Sequence, residues 1–534
     1  MTRFMRYATL VAVVAATPLL LYLWREGVLS GWWSLLTGAL VAVGIVDLVQ
    51  TRHAVLRNYP ILGHARFLFE TIRPEIRQYL IESDTDAVPF SRQQRAIVYQ
   101  RAKQDLDKRP FGTQLDAYAA GFEWINHSIA PAPVQSHDFR VAIGGPACTR
   151  PYDASVFNIS AMSFGSLSAN AIRALNQGAK RGRFAHDTGE GSISAYHREH
   201  GGDLIWEIGS GYFGCRDAQG RFDTERFVEN AGAEQVRMIE IKLSQGAKPG
   251  HGGVLPGPKV TPEIAAARGV PPWVDCVSPA SHSAFDTPIG LLRFVDLLRT
   301  LSGGKPTGFK LAIGHPWEWF AIAKAMQETG ITPDFIVVDG KEGGTGAAPA
   351  EFIDRVGTPM QEALMLVHNT LIGLGLRDRV RIGAAGKLTS AFDVARTMAL
   401  GADWCNSARG FMFALGCIQA MNCHTGRCPT GVTTQDPVRQ RALVVPDKAE
   451  RVFNFHQNTL KAMAELVAAA GLTHPSQLRA HHIVRRVSGH EIRLLSTLYP
   501  TLQPGELLDG DADAPVYRMF WSRARPDSFA PATV

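Results

Sequence analysis

Between Val156 and Gly410 the chain alternates short apolar or β-branched runs with longer helical stretches. The runs are VFNIS, RFAHDTG, MIEIKL, WVDCVSP, GFKLAIG, FIVVDG, RVRIGAAG and DWCNSARG, giving eight candidate strands. Between them lie SANAIRALNQGAKR, PIGLLRFVDLLRTL, WEWFAIAKAMQETG and SAFDVARTMALG, whose apolar residues recur at helical spacing. Strand and helix in alternation imply a parallel sheet, and eight such units favour a closed (β/α)8 TIM barrel over a doubly wound sheet. Nearly every run ends in a polar or glycine-rich cluster (MSFGS, DTGEGS, SQGAKPGHGG, DGKEGGTGA, AAGK, NSARG). Barrel enzymes build their sites at the C-terminal ends of their strands, so these clusters are the candidate site.

Two apolar segments precede the barrel. Tyr7 to Trp24 has no charge and Trp32 to Val49 has only Asp47, so each is about long enough to cross a bilayer. Trp24, Trp32 and Trp33 flank the short connecting loop, and Arg3, Arg6, Arg52 and Arg57 lie at the other ends. That asymmetry predicts a transmembrane hairpin in the inner (cytoplasmic) membrane, with both termini and the catalytic domain cytoplasmic. A cleaved signal peptide is the competing reading, since basic residues precede an apolar stretch. Pro18 and Asp47 require the two helices to pack on each other or on a membrane partner.

The expected division is a two-helix anchor over 1–52, a helical connector over 53–136, the barrel over 137–440, and C-terminal covering helices with a tail over 441–534. Within the last part, amphipathic helix patterns run from Lys448 to Ala470 and from Pro475 to Tyr499. The net charge of +6 is spread among interleaved acids and bases, which gives no basic block for nucleic acid. Seven cysteines in 534 residues are too few for a disulfide framework and fit a reducing compartment.

Three of those cysteines, Cys417, Cys423 and Cys428, fall within twelve residues, and Pro429 follows the last. Thiols so spaced suit an iron–sulfur cluster, or zinc if His424 supplies a fourth ligand.

At the same segment, GCIQAMNCHTGRCPTGVTTQDP resembles the stretch of the glutamate synthases in which three cysteines bind a [3Fe–4S] cluster. ISAMSFGSLS, TGEGS, EIKLSQGAKPG, GGVLPGPKV, FKLAIG and DGKEGGTGAAP resemble the FMN-binding synthase domain of that family in the same order, over roughly residues 150–470. The resemblance implies FMN contacts from Met162, Ser163, Phe164 and Gly165, with Lys310 beside the ring where reduced flavin gathers negative charge. A core salt bridge is the alternative role for Lys310. Flavin phosphate would be held by Gly343, Gly344 and Thr345, by Gly386 and Lys387, and by Ser407, Ala408 and Arg409. Lys242 and Gln245 would hold a 2-oxo acid, and Glu190 would contact substrate or pair with a nearby lysine.

The chain departs from the family in places. It shows neither the family's N-terminal glutaminase domain nor its C-terminal β-helix. Tyr212 stands in Ser-Gly-Tyr-Phe-Gly where the family has Arg, which removes a cation for a substrate carboxylate unless Arg216 swings in. His251 replaces a family Glu, and the family's Asp-Gly-Gly phosphate loop reads Ala385-Gly386-Lys387. The expected activity is therefore glutamate-synthase-like: a cluster and FMN reduce the imine of 2-oxoglutarate, with ammonia supplied externally and electrons from a donor protein or reductase subunit. The alternative is a membrane-docked flavin/iron–sulfur oxidoreductase or electron-transfer module acting on another amine or 2-oxo acid.

Overall fold

A side chain every second residue faces the same side of a strand, and in this protein that period builds the barrel in layers. The structure, a computed structural model, describes residues 5–85, 88–510 and 513–532. Eight parallel strands close into a barrel: β1 (Phe157–Ile159), β2 (His186–Asp187), β3 (Leu204–Ile208), β4 (Val236–Lys242), β5 (Thr307–Leu311), β6 (Phe335–Asp339), β7 (Arg381–Ala385) and β8 (Trp404–Ser407). They pair in chain order, and β8 pairs with β1 through Ser407 and Ile159. Ile205, Met238, Phe335, Val337 and Trp404 form an apolar cluster with Ile143, Tyr152 and Ala154 of the antiparallel hairpin Arg140–Ile143/Tyr152–Ser155. That hairpin covers the N-terminal mouth: Arg381 Nε, at the start of β7, donates to Ala142 O at 3.3 Å. One pleat further along each strand the residues become Glu207, Glu240, Asp339 and Asn406. The barrel is thus dry at its base and charged toward its C-terminal ends.

The eight expected strands match eight observed ones in number, with one exchange. The third barrel strand is Leu204–Ile208, buried at all five positions, whereas WVDCVSP contributes only Cys276–Val277, which pairs antiparallel with Val254–Leu255 in the excursion after β4. Glu207 breaks the apolar run of LIWEI in sequence, and it is the Lys310 ammonium on β5 that makes it tolerable in the core. The stretch 475–499 also departs from expectation. It forms short turns and the strands Ile483–Arg486 and Ile492–Leu494, which join Glu123–Ile125 in an antiparallel sheet, with Ser488 and Gly489 in the connection.

Helices surround the strands. In the N-terminal unit, Met1–Ala87, α1 (Ala8–Arg25) packs on α2 (Trp32–Val49). The second unit, Val88–Val534, contains α3 (Arg92–Lys103), α4 (Ala169–Gly182), α5 (Pro288–Leu301), α6 (Pro316–Thr329), α7 (Met360–Gly373), α8 (Ala391–Ala399) and α9 (Val445–Ala469). The division falls inside the segment read from sequence as a connector. α3 starts with a capping box between Ser91 and Gln94 and lies against α9, where Asn454 Nδ2 donates to Ala102 O at 3.2 Å. Ser168, Thr287 and Ser390 cap α4, α5 and α8 by accepting from the backbone N–H three residues on. α4 and α9 approach so closely at Gly178 that an added Cβ would lie 2.9 Å from Ala449 O.

Each N-terminal helix has 18 residues and is only 6% and 11% buried. Eighteen residues rise about 27 Å, close to the thickness of a bilayer's hydrocarbon. The carboxylate of Asp47 is satisfied within the same unit, by Ile61 N–H at 2.9 Å and His64 Nε2 at 2.9 Å.

Candidate active site at the C-terminal ends of the strands

Asp187, Glu207 and Glu240, from β2, β3 and β4, bring carboxylate oxygens within 4.8 Å of one another in the buried interior. The Lys310 ammonium reaches in from β5, hydrogen-bonded to Glu207 and 3.5 Å from Glu240, so the protein supplies its own cation to the group. One lysine does not balance three carboxylates. Burial, then repulsion from Asp187, pushes the Glu240 carboxyl well above the ordinary carboxylate range, and burial raises Asp187 as well. Asp339 on β6 is raised by burial too, and accepts from Gly246 N–H at 2.9 Å. Burial thus disfavours the charged form across the set.

Above this layer lies a second, wetter one. Lys242, the last residue of β4, donates to Gln245 Oε1 at 2.6 Å and pairs with Glu190 at 3.1 Å. Burial alone would raise Glu190, but Lys242, Arg268 and Lys248 outweigh it and hold the carboxyl down to about 2. Lys248 donates to Gly252 O at 2.7 Å, and burial lowers its amine. The structure therefore joins Glu190, Lys242 and Gln245 as one hydrogen-bonded group.

Arg268 was not anticipated from sequence. It is 5% exposed, its Nη2 donates to Phe164 O at 3.2 Å, its Nη1 lies 3.7 Å from Cys276 Sγ, and its Nε has no protein partner. The sequence signal was slight: a lone cation closing the apolar PEIAAAR helix. Tyr212 does not take the place of the family's Arg. Its hydroxyl accepts from Ala284 N–H at 3.1 Å and meets His282 Nδ1 at 3.0 Å, and His282 Nε2 donates to Lys242 O at 2.8 Å. Burial lowers His282, which fits the neutral ring this chain of bonds requires. Arg216 lies over the Phe213 ring at 5.5 Å, and Arg268 lies 5.1 Å from the same ring.

Met162, Ser163, Phe164 and Gly165 form the turn after β1, with Gly165 at φ 104° in the left-handed region. The turn presses on Gly189, where a Cβ would fall 2.6 Å from Ser163 N, so backbone closes on backbone beside Glu190. The remaining loops lie over β6 to β8. Gly343, Gly344 and Thr345 are half-buried or exposed, with open space above Gly344. Gly386 and Lys387 line a cavity of about 390 Å³ with Glu342, Met360, Asp393 and Arg396. Lys387 Nζ lies 5.7 Å over the Phe90 ring. Ser407 Oγ donates to Leu388 O at 2.5 Å, so its hydroxyl ties two loops together and is not free for a ligand. After Ala408, Arg409 donates to Gly344 O at 3.0 Å and reaches Cys423 Sγ at 3.7 Å.

The cysteine loop lies beside these. Cys417 and Cys428 are buried and Cys423 is half-buried. Tyr99 donates to Cys417 O at 2.6 Å, Lys259 to Cys423 O at 2.8 Å, and Thr430 Oγ1 lies 3.4 Å from Cys428 Sγ. Burial would raise Cys428, but bonds from Thr430 and Thr433 bring its thiol below the ordinary range. A tetrahedral zinc ion with bonds of about 2.3 Å gathers its sulfurs to about 3.8 Å. Among the described residues only the acid triad has three ligand atoms within 4.8 Å, and His424 is exposed, so the thiols are spread wider than one zinc ion needs.

Three comparisons bear on this site. Residues 150–473 match the family model described as the conserved region in glutamate synthase. The chain is 37% identical over 483 residues to the glutamate synthase large subunit-like protein YerD of Bacillus subtilis, covering 83% of this chain and 91% of that protein. It is 36% identical over 324 residues to the archaeal glutamate synthase [NADPH] of Methanocaldococcus jannaschii, covering 60% of each. The solved flavin-binding domain of baker's yeast flavocytochrome b2 aligns over 85% of this chain and 91% of that one, at 11% identity and a TM-score of 0.41. With its barrel, its Lys242–Gln245 pair and its cysteine loop all inside the matched region, the chain belongs to the glutamate synthase family and is a glutamate-synthase-like oxidoreductase.

Proposed function

We propose that the barrel binds FMN against Met162–Gly165 and the loops after β6 to β8, holds a [3Fe–4S] cluster on Cys417, Cys423 and Cys428, and reduces the imine of 2-oxoglutarate to glutamate. The observation that carries this reading is the charge of the pocket: Lys242, Lys248 and Arg268 converge on a single carboxylate, Glu190. Such a surplus suits a dianionic 2-oxo acid. Bound FMN would supply a hydride, and the cluster would pass it electrons one at a time.

The chain's own residues do the rest. Arg268, with an unpartnered Nε in a nearly buried side chain, is the donor for one substrate carboxylate, replacing what Tyr212 lacks. Lys242 and Gln245 orient the oxo or imino group. Glu190, ionised down to about pH 2, is the negative charge that a protonated imine faces. Asp187, Glu240 and Asp339, whose carboxyls burial raises, surround Lys310, which would set a positive charge beneath the flavin. Ammonia and electrons come from outside the chain, the latter from a donor protein or reductase subunit. The helices α1 and α2 anchor the protein in the cytoplasmic membrane, with the barrel on the cytoplasmic side.

The test uses the full chain in detergent, reduced without oxygen and mixed with 2-oxoglutarate and ammonium. Faster flavin reoxidation with glutamate formed is expected. Arg268→Gln should raise the KM for 2-oxoglutarate at least tenfold, as loss of a charge-assisted bond implies. No acceleration and no glutamate from the unaltered chain would overturn the proposal.

A further inference from the structure

Two loops assigned above to different prosthetic groups touch each other. The Gly343–Gly346 loop follows β6 and the cysteine loop follows β8, yet Gly346 lies so close to the Cys423–His424 peptide that a Cβ there would be 3.0 Å from His424 N and 3.1 Å from Cys423 C. One side chain grips both. Arg409 donates through Nη2 to Gly344 O at 3.0 Å, while Nη1 lies 3.7 Å from Cys423 Sγ and 3.4 Å from Met412 Sδ.

We propose that Arg409 couples the two prosthetic groups, so that a filled cysteine site favours flavin binding and bound flavin favours retention of the cluster. This rests on the cofactor assignment made above. An iron-bound Cys423 sulfur is fixed in place and carries negative charge, and a guanidinium held by it has little freedom left. Its other N–H groups then hold the Gly344 carbonyl and keep a glycine-rich loop in one conformation, lowering the entropy that loop loses when it closes on a phosphate. Without iron, the half-buried Cys423 sulfur is no longer fixed in place, so its hold on the guanidinium weakens and the loop is released. Coupling between two binding sites is reciprocal, and commonly changes affinity by about 5- to 150-fold. Lysine cannot replace arginine here, since a single ammonium on a flexible stem does not reach two partners in fixed directions.

The experiment measures FMN affinity of the detergent-solubilised full chain by flavin fluorescence, with the cluster present, after iron chelation, and in Cys423→Ser. Iron and acid-labile sulfide are assayed in each sample, and circular dichroism verifies the fold. Loss of iron should weaken FMN binding at least fivefold, by chelation and by C423S alike. In Arg409→Gln the affinity should be weak and should differ less than twofold with and without iron. Arg409→Lys should restore only part of the difference. Reciprocally, removing FMN from the unaltered chain should speed iron loss to a chelator, and in R409Q it should not. Equal FMN affinity with and without iron, in a chain that holds both groups, overturns the coupling alone. A chain that binds no iron, or no FMN, overturns the cofactor assignment and the coupling with it.

Discussion

The ends of β2 to β5 and the ends of β6 to β8 prepare their ligands by different means. On the first side, charged and polar side chains hold one another in place: Lys310 with Glu207 and Glu240, and Lys242 with Glu190 and Gln245. On the second side the contacts are glycine backbone, a serine hydroxyl spent on Leu388 O, and an arginine bridging two loops. Side-chain ion pairs inside a barrel are set when the chain folds, because a buried charge without its partner is costly. Glycine loops have no such internal constraint and are finished by what binds them. On the function proposed above, the first side would govern stability and substrate geometry, and the second cofactor retention.

The largest expected effect tests the first side. Lys310→Met would strand Glu207 among Asp187 and Glu240, and breaking a buried ion pair at one partner costs about 3–5 kcal/mol. Denaturant unfolding of the full chain at neutral pH should show that loss. Glu240→Gln should cost less than about 1 kcal/mol, because burial and Asp187 already disfavour the charged carboxylate and an amide of the same shape replaces it. If the two substitutions cost the same, Lys310 is not what balances the layer.

A smaller effect distinguishes the two carboxylate layers by pH. Glu190 is depressed from 4.5 to about 2, so its contribution is fully present above pH 4.5 and is lost as pH falls through the window to about 2. That difference corresponds to about 3 kcal/mol at most. Asp187 and Glu240 are raised, so they oppose stability as pH climbs above the ordinary carboxylate range toward their own higher values. Unfolding free energies at pH 3 and pH 6 should therefore differ less in Glu190→Gln than in the unaltered chain. An unchanged slope would show that Lys242 does not hold Glu190 ionised.

The same contrast explains what was legible in the sequence. Loops finished by backbone advertise themselves as glycine clusters, and the cysteine loop declares itself by spacing alone. Side chains paired across the barrel do not. Glu207 made LIWEI a poor strand because its partner Lys310 lies 103 residues away. Arg268 carries little signal of its own in sequence, because the Phe164 carbonyl it meets is 104 residues distant. WVDCVSP has the composition of a strand, but its pairing with Val254–Leu255 is a property of the excursion after β4. The apolar spacing of 475–499 suits a helix, yet the segment turns at Ser488–Gly489 and adds to an edge at Glu123–Ile125. Periodicity records which residues are buried; which distant residue buries them is settled by topology.

The smallest expected effect sharpens the role of Tyr212. A fully buried phenol at φ 47°, hydrogen-bonded to His282 and Ala284, acts on the substrate pocket only through His282 and the Lys242 carbonyl. Tyr212→Phe keeps the ring and removes one partner from each neighbour, at a cost of about 1 kcal/mol in stability. The KM for 2-oxoglutarate should change less than about fivefold, since Lys242 is only loosened, and kcat should change little. Tyr212→Arg should not tighten the substrate: Arg268 already brings a cation to the pocket, and a second would displace His282 from its bond to the strand end. A KM lowered severalfold by Y212R would mean that the carboxylate lies on the Tyr212 side, and would move the substrate from Arg268 toward β3.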